Sequence, residues 1–363
     1  MNNRHNVKNS LQKSIRSPVA APGFDAWMFI DWSAASVPSP LRPTANAIWI
    51  ATQLSSRRKP VSNYCRTRHE ACCLMREIFR QCLKDEKRLL VGIDIALGAP
   101  KGLPQALTRR TDADWRDVWK EIATQICDDE QNANNRFEVA ANFNSRISPH
   151  QPGLNVRKTT RSSTSLLSTE VNTISGEVTH GIQGPYWGAP HARAGRLTPP
   201  YSPEFPFRTA NGILLARQRF VEMLAPGTQD TWKLCGIGSV GSQSLTGIAR
   251  LEAFRQDPEF QPHLCIWPFE TGWTVPDQQP LILFAEIWPG LLKQEVARQQ
   301  ALESGRIRDE LQVLAWCRWA QAMSRNQRLS SYFQSPQVLT ESLQSCAVTS
   351  EGWILGVTNT KLA

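Results

Sequence analysis

Apolar positions in this chain fall into short runs whose spacing switches between strand and helix periods. Ala26 to Asp31 (AWMFID) is an apolar run that ends on a carboxylate. After a Ser/Pro/Arg-rich turn, ANAIWIATQL supplies a second strand in hairpin register with it. Arg68 to Leu83 carries Cys72, Met75, Ile78, Phe79 and Cys82 at helical spacing, and the charged turn KDEKR then leads into the third clear strand, LLVGIDI. So continuous an apolar run suits a strand covered on both faces. Trp115 to Cys127 reads as a helix with Asp112 or Asp114 as its N-cap, and Arg136 to Ile147 as another.

Between about 148 and 210 the texture changes to Ser, Thr, Pro and Gly, as in RKTTRSSTSLLSTEVNTISG and LTPPYSPEFPF. Insertions of this length without periodicity are functional or disordered. Beyond it the pattern predicts a helix near 213–224, a Gly-rich turn CGIGSVGSQSLTG, strands LCIWPF and LILFAEI, helices over roughly 291–303 and 309–324, and a last short strand in EGWILGVTN. This order predicts an α/β fold with a mixed sheet. Residues 23–363 are expected to form one domain behind a flexible arm, 1–22, which carries Arg4, Lys8, Lys13 and Arg16 and no acid.

The net charge of +9 owes four units to that arm, so the body is only mildly basic, a balance compatible with a polyanionic ligand. No run approaches the roughly 18–20 apolar residues of a membrane span, and no secretory signal is evident, which makes a soluble cytoplasmic protein the expectation. The 9 cysteines form no C-x-x-C pair and read as reduced structural thiols; the histidines show no zinc-hydrolase spacing.

Four acids stand where strands end or a helix begins: Asp31, Asp94, Glu286 in LILFAEIWPG, and Asp309 in RIRDELQVLAW. Asp31 and Asp94 are followed by small residues (Ala34, Ala35; Ala96, Gly98), which leave room for a ligand at the carboxyl ends of strands. Turn capping would account for either one singly, a solvent-facing strand position for Glu286, and helix capping for Asp309. Together, carboxylates from separate elements suit two divalent ions about 4 Å apart, the arrangement of metal-assisted phosphoryl transfer. Magnesium keeps waters and needs few protein ligands, so three or four acids suffice.

Arg136 and Lys101 are candidate phosphate contacts, Glu138 a candidate on the Arg136 helix, and Ser239 and Gln243 candidates in the Gly-rich segment; Trp187 is a candidate for base stacking. Salt-bridged helix faces give the same Arg136, Glu138 and Arg146 pattern. G-I-G-S-V-G formally fits a phosphate-cradling loop, but it lacks a Walker lysine and the acid expected downstream, and reads as a turn presenting backbone N–H groups.

Asp31-x-Ser33, Gly92-Ile93-Asp94-Ile95-x-Leu97-Gly98-x-Pro100, the Arg136, Glu138 and Arg146 helix, Glu286-Ile287-Trp288-Pro289 and Asp309-x-x-x-Val313 together resemble an uncharacterised bacterial family described as predicted nucleases of the RNase H fold. The resemblance spans about 26–325, and relatives with GSVGSQ and EGWILG stretches are sometimes labelled cobalamin or molybdopterin biosynthesis proteins. It implies a five-stranded mixed sheet flanked by helices, Asp31 on the first strand, Asp94 on a later one, Asp309 on the C-terminal helix, and Mg2+ or Mn2+ as cofactor. The family motif has Asp where this chain has Glu138 and Arg where it has Asn142, and the segment 148–230 has no counterpart in minimal RNase H folds. The expectation is a divalent-metal-dependent nuclease acting on DNA or RNA with Asp31, Asp94, Glu286 and Asp309 as ligands. The alternatives are a nucleotide- or phosphate-handling enzyme of the same superfamily and a non-catalytic binding protein with a degenerate site.

Overall fold

A computed structural model describes residues 23–55, 59–149, 182–189 and 197–358. The basic arm 1–22 and most of the Ser/Thr-rich insertion lie outside the described residues. The strands are β1 (Ala26–Asp31), β2 (Ile48–Gln53), β3 (Val61–Cys65), β4 (Arg88–Asp94), the short pair β5 (Phe207–Arg208) and β6 (Leu214–Leu215), β7 (Leu264–Ile266) and β8 (Leu281–Glu286). Six of them form a mixed sheet in the order β3-β2-β1-β4-β8-β7, one strand more than the five the resemblance implies. β1, β2 and β3 are antiparallel neighbours, whereas β1–β4, β4–β8 and β8–β7 are parallel.

The two-residue alternation of each strand builds two cores. Met28, Ile30, Val91, Ile93, Ile282 and Phe284 face a layer made by α1 (Arg68–Lys84), α2 (Leu103–Thr108), α3 (Trp115–Gln125), α4 (Arg136–Ile147) and, after the small helix α5 (Phe220–Leu224), α6 (Val240–Gln256). Trp27, Phe29, Leu90, Leu283 and Ala285 face the second layer, formed by α7 (Lys293–Leu302), α8 (Arg308–Arg325), the one-turn α9 (Glu341–Cys346) and the C-terminal segment. Phe29 stacks on Trp316 of α8 with ring centroids 5.7 Å apart. Gly92 leaves space for that ring, since a Cβ there would overlap Phe29.

β1, β2, β4, β7, β8, α1, α3, α4, α7 and α8 fall where the periodicity predicts them. Asp114, with Asp117, closes a capping box at the head of α3, while Asp112 pairs with Arg110. The α8 stripe runs through Leu311, Leu314 and Ala315 to Trp319 and Met323, and Ala322 is exposed.

One strand is added and three expectations are corrected. β3 is an edge strand with a half-polar sequence, so it lacks an apolar signature. Residues 213–224 hold β6 and the five-residue α5 in place of one helix. The Gly-rich stretch is a loop only as far as Ser239 and then a 17-residue helix, α6. The tail forms a π-helical turn, Ala347–Glu351, and among the described residues touches the sheet through one bridge, Ile354 to Glu286, with no strand of its own. No helix among the described residues is long and apolar enough to cross a membrane.

α6 exists because of what it packs against. Its glycines and hydroxyl residues are poor helix formers. A Cβ on Gly247 would collide with the Ile95 side chain, and one on Gly241 with the Thr231 carbonyl, so both glycines permit close approach. The helix is pinned to the residue after Asp31: Gln243 Nε2 donates to the Trp32 carbonyl (2.7 Å), and Trp32 Nε1 donates to Thr246 Oγ1 (3.3 Å).

Candidate active site

Asp31 and Asp94 are the last residues of adjacent parallel strands and are paired in register. Neighbouring strands lie about 4.7–4.9 Å apart, so the pair is side by side. Both occupy the alternation class of Phe29 and Leu90, the side covered by α8. α8 delivers Asp309 to the same opening, where its Oδ2 accepts from the Asn46 backbone N–H at 2.7 Å. Asp309 therefore ties α8 to the loop before β2 in place of capping its own helix.

The three carboxylates open into a cleft of about 1160 Å³ at the carboxyl edge of the sheet. Its lining includes the acids Asp31, Asp94, Glu222, Glu286 and Asp309 and the bases Arg136, Arg219, Lys233, Lys293 and Arg308. A second cavity, among Leu97, Trp115, Trp119 and Leu245, has a volume of only about 20 Å³ and a mostly apolar lining, which leaves it unsuited to a polar ligand.

Among the described residues, neither Asp31 nor Asp94 forms an ion pair with a basic side chain. Burial, followed by repulsion from Asp94 and Asp309, raises the Asp31 carboxyl well above the ordinary range. Burial, followed by the charges of Glu286 and Asp309, pushes Asp94 up to about 8. Such a pair holds a proton at neutral pH unless a cation replaces it.

Glu286 differs from these acids. It is in register with Ile93, not Asp94, and by alternation belongs with Ile282 and Phe284. Its carboxylate is 3% exposed and grips Arg219 through both oxygens (Oε1 to Nη2 2.5 Å, Oε2 to Nη1 2.8 Å). Oε2 also accepts from the Leu97 N–H at 3.0 Å, which fixes the turn that follows Asp94. Arg219 completes its bonding with Glu222 Oε1 and the Glu351 carbonyl, both at 2.8 Å. Glu286 thus braces the floor of the cleft through a buried ion pair, a solvent-facing role being excluded by its burial.

Arg136 lines the cleft, lies over the Phe137 ring and donates to Ser242 Oγ (2.9 Å) and Ser36 Oγ (2.8 Å). Ser239 and Gln243 line it too, at the start of α6. Lys101 and Glu138 do not: both are exposed away from the cleft, and the Lys101 N–H donates to Glu351 Oε1. Trp187 is half-buried against the first core, with Nε1 on Asp230 and Lys233 Nζ over its ring, so it is no exposed stacking platform. Of the 13 tryptophans, only Trp187, Trp273 and Trp288 are even partly exposed. Trp288 alone of these lines the cleft.

Arg219, Glu222, Lys233, Lys293 and Arg308 escape sequence reasoning. The one available signal is Arg308, a cation at the first residue of a helix, where the dipole disfavours it. Among the described residues, no three His, Cys, Asp or Glu side chains are grouped as a ready-made metal cage. All 9 cysteines are free thiols. Comparison with protein-family models, with curated proteins and with solved structures finds no match to this chain.

Proposed function

We propose that the chain is a divalent-metal-dependent nuclease of RNase H-like architecture that hydrolyses phosphodiester bonds with Mg2+ or Mn2+. The observation that carries this reading is the in-register pair Asp31 and Asp94, unpaired by any described base and joined by Asp309, at the floor of a cleft that Arg136, Lys233, Lys293 and Arg308 also line. A sheet with three antiparallel strands, then parallel strands bearing the second aspartate, then a helix bearing the third, supports the architecture the sequence resemblance implies.

The donor chemistry fits the ion. Hard carboxylate oxygens suit Mg2+ or Mn2+, and Mg2+ is commonly held by one or two carboxylates together with substrate phosphate. Such a site needs no three-donor protein cage. When bound, the ion would act as Lewis acid and lower the pKa of a bound water.

The chain's own residues do the remaining work. Asp31, Asp94 and Asp309 supply the negative charge that a cation neutralises. Arg136 and Lys233 offer donors to non-bridging phosphate oxygens, with charge-assisted bonds stronger than neutral ones. Lys233 Nζ donates to the Ile237 carbonyl (2.6 Å), holding the glycine loop against the cleft. Arg219 and Glu286 hold the Leu97 turn and with it the exit of β4. In this reading Glu286 positions the site and Asp31, Asp94 and Asp309 occupy it.

A second reading, a nucleotide-handling enzyme, is favoured by one observation: the loop with Gly236 and Gly238 at positive φ leads into α6 at the cleft wall. Two measurements decide. Mg2+ or Mn2+ is expected to raise the melting temperature of the wild type but not of Asp31→Asn, with metal-dependent cleavage of labelled DNA or RNA lost in the variant. Retained cleavage in Asp31→Asn refutes the nuclease assignment of the site, and tight ATP binding by calorimetry without cleavage selects the second reading.

A further inference from the structure

We infer that the cleft takes a single strand of nucleic acid laid across the carboxyl edge of the sheet, not a duplex resting on its rim. The inference rests on the nuclease reading for the identity of the phosphodiester, and the arrangement of charge and space supplies the rest. The cleft, at about 1160 Å³, is only slightly larger than the roughly 300–1,000 Å³ of small-molecule sites, which is room for a short stretch of one strand. Asp31 and Asp94 are partly buried at its floor, so the reacting phosphate must enter.

Basic groups flank that floor on both sides of the sheet. Arg136 comes from α4, in the first layer, and Lys233 from the segment before α6. Lys293 and Arg308 come from α7 and α8, in the second layer. A strand passing from one pair to the other crosses the three aspartates. Lys293 and Arg308 are exposed and are in no ion pair among the described residues, and Arg308 begins its helix, the end where a cation opposes the dipole. Ion pairing therefore does not explain them, and phosphate contact does.

The aromatic that single-strand sites use for stacking is Trp288, two residues after Glu286 on the cleft wall. Its indole sits against Gly290, where a Cβ would overlap it, and 3.4 Å from the Cβ position of Gly227, so glycines on two segments make its slot.

The test is binding of labelled 12-nucleotide single-stranded DNA and RNA, and of the matching duplexes, to the full chain by anisotropy at 50 and 200 mM salt. The comparison variant is Lys293→Gln/Arg308→Gln, whose melting temperature should match wild type because both side chains are exposed. Single-strand affinity falls with a log–log salt slope of about 0.7 per phosphate contact. Removing two contacts should therefore make the loss between the two salt concentrations about sevenfold smaller in the variant, a difference to which the N-terminal arm contributes equally on both sides. Trp288→Ala should weaken single-strand binding about tenfold while leaving the salt slope unchanged.

Preferential binding of single strands with that change in slope supports the inference. Equal or tighter duplex binding, or an unchanged slope in the double variant, overturns it. Metal-dependent cleavage of duplex in preference to single strand would overturn it while leaving the nuclease reading intact. Single-strand binding with the expected slope but no cleavage under any metal would support the strand site and refute the nuclease.

Discussion

Asp94→Asn should stabilise the metal-free protein while abolishing its function. The carboxyl is pushed up to about 8, first by burial and then by the charges of Glu286 and Asp309, against an ordinary value of 3.8. The folded state therefore holds a proton that the unfolded chain releases above pH 4. A raised folded pKa contributes stability that is present at low pH and lost as pH rises from about 4 to about 8. At about 1.4 kcal/mol per unit the ceiling is roughly 6 kcal/mol, and water in the open cleft should reduce it to on the order of 2–3 kcal/mol. For 363 residues at about 2.1 cal/mol/K each, that corresponds to about 3–4 °C in Tm. The assay is thermal melting of wild type and Asp94→Asn in EDTA from pH 5 to pH 9. The variant should already lead wild type slightly at pH 5, gain on it with rising pH and hold its advantage above pH 8. Adding Mn2+ at a hundred times its Kd should return about 2.7 kcal/mol to wild type alone. A pH-independent difference, or a variant less stable than wild type at pH 9, would refute the picture of a desolvated, mutually repelling carboxylate group.

Two further perturbations probe the scaffold around the site. Arg219→Met leaves Glu286 and Glu222 buried without their cation and should cost about 3–5 kcal/mol, read as a lower denaturant midpoint at unchanged m-value. Asp128 is raised by burial but lowered further by the hydrogen bond and charge of Arg68 and by Arg250, with a net downward shift. Its stabilisation is thus present above pH 4 and lost as pH falls through its depressed folded value. Asp128→Asn should lose about 3–5 kcal/mol at pH 7, measured by urea unfolding, with a smaller penalty at pH 3.

The strands β1, β2, β4 and β8 and the helices α1, α3, α4 and α8 were legible because each carries an apolar run or period with a capping or turn signal near its end. The acids at the ends of those elements were legible for the same reason: a carboxylate that closes an apolar run is conspicuous. β3 was not, since an edge strand buries little, and α6 was not, since its glycines serve close packing against Ile95 and its helicity comes from the fold around it.

Sequence alone also treats Asp31, Asp94, Glu286 and Asp309 as equivalent. Register decides otherwise: the β1–β4 pairing sets Asp94 beside Asp31, whereas the β4–β8 pairing is offset by one residue and sets Glu286 against Ile93, in the other alternation class. The partner that neutralises Glu286, Arg219, is 67 residues away in the chain, and so is visible only once the chain is folded. Local spacing along the chain determined which segments are strands and helices and where charge interrupts them. Strand register and long-range packing decided which of those charges are paired and buried and which are left to face a cleft, because electrostatic partners are chosen by distance in space and not by distance in sequence.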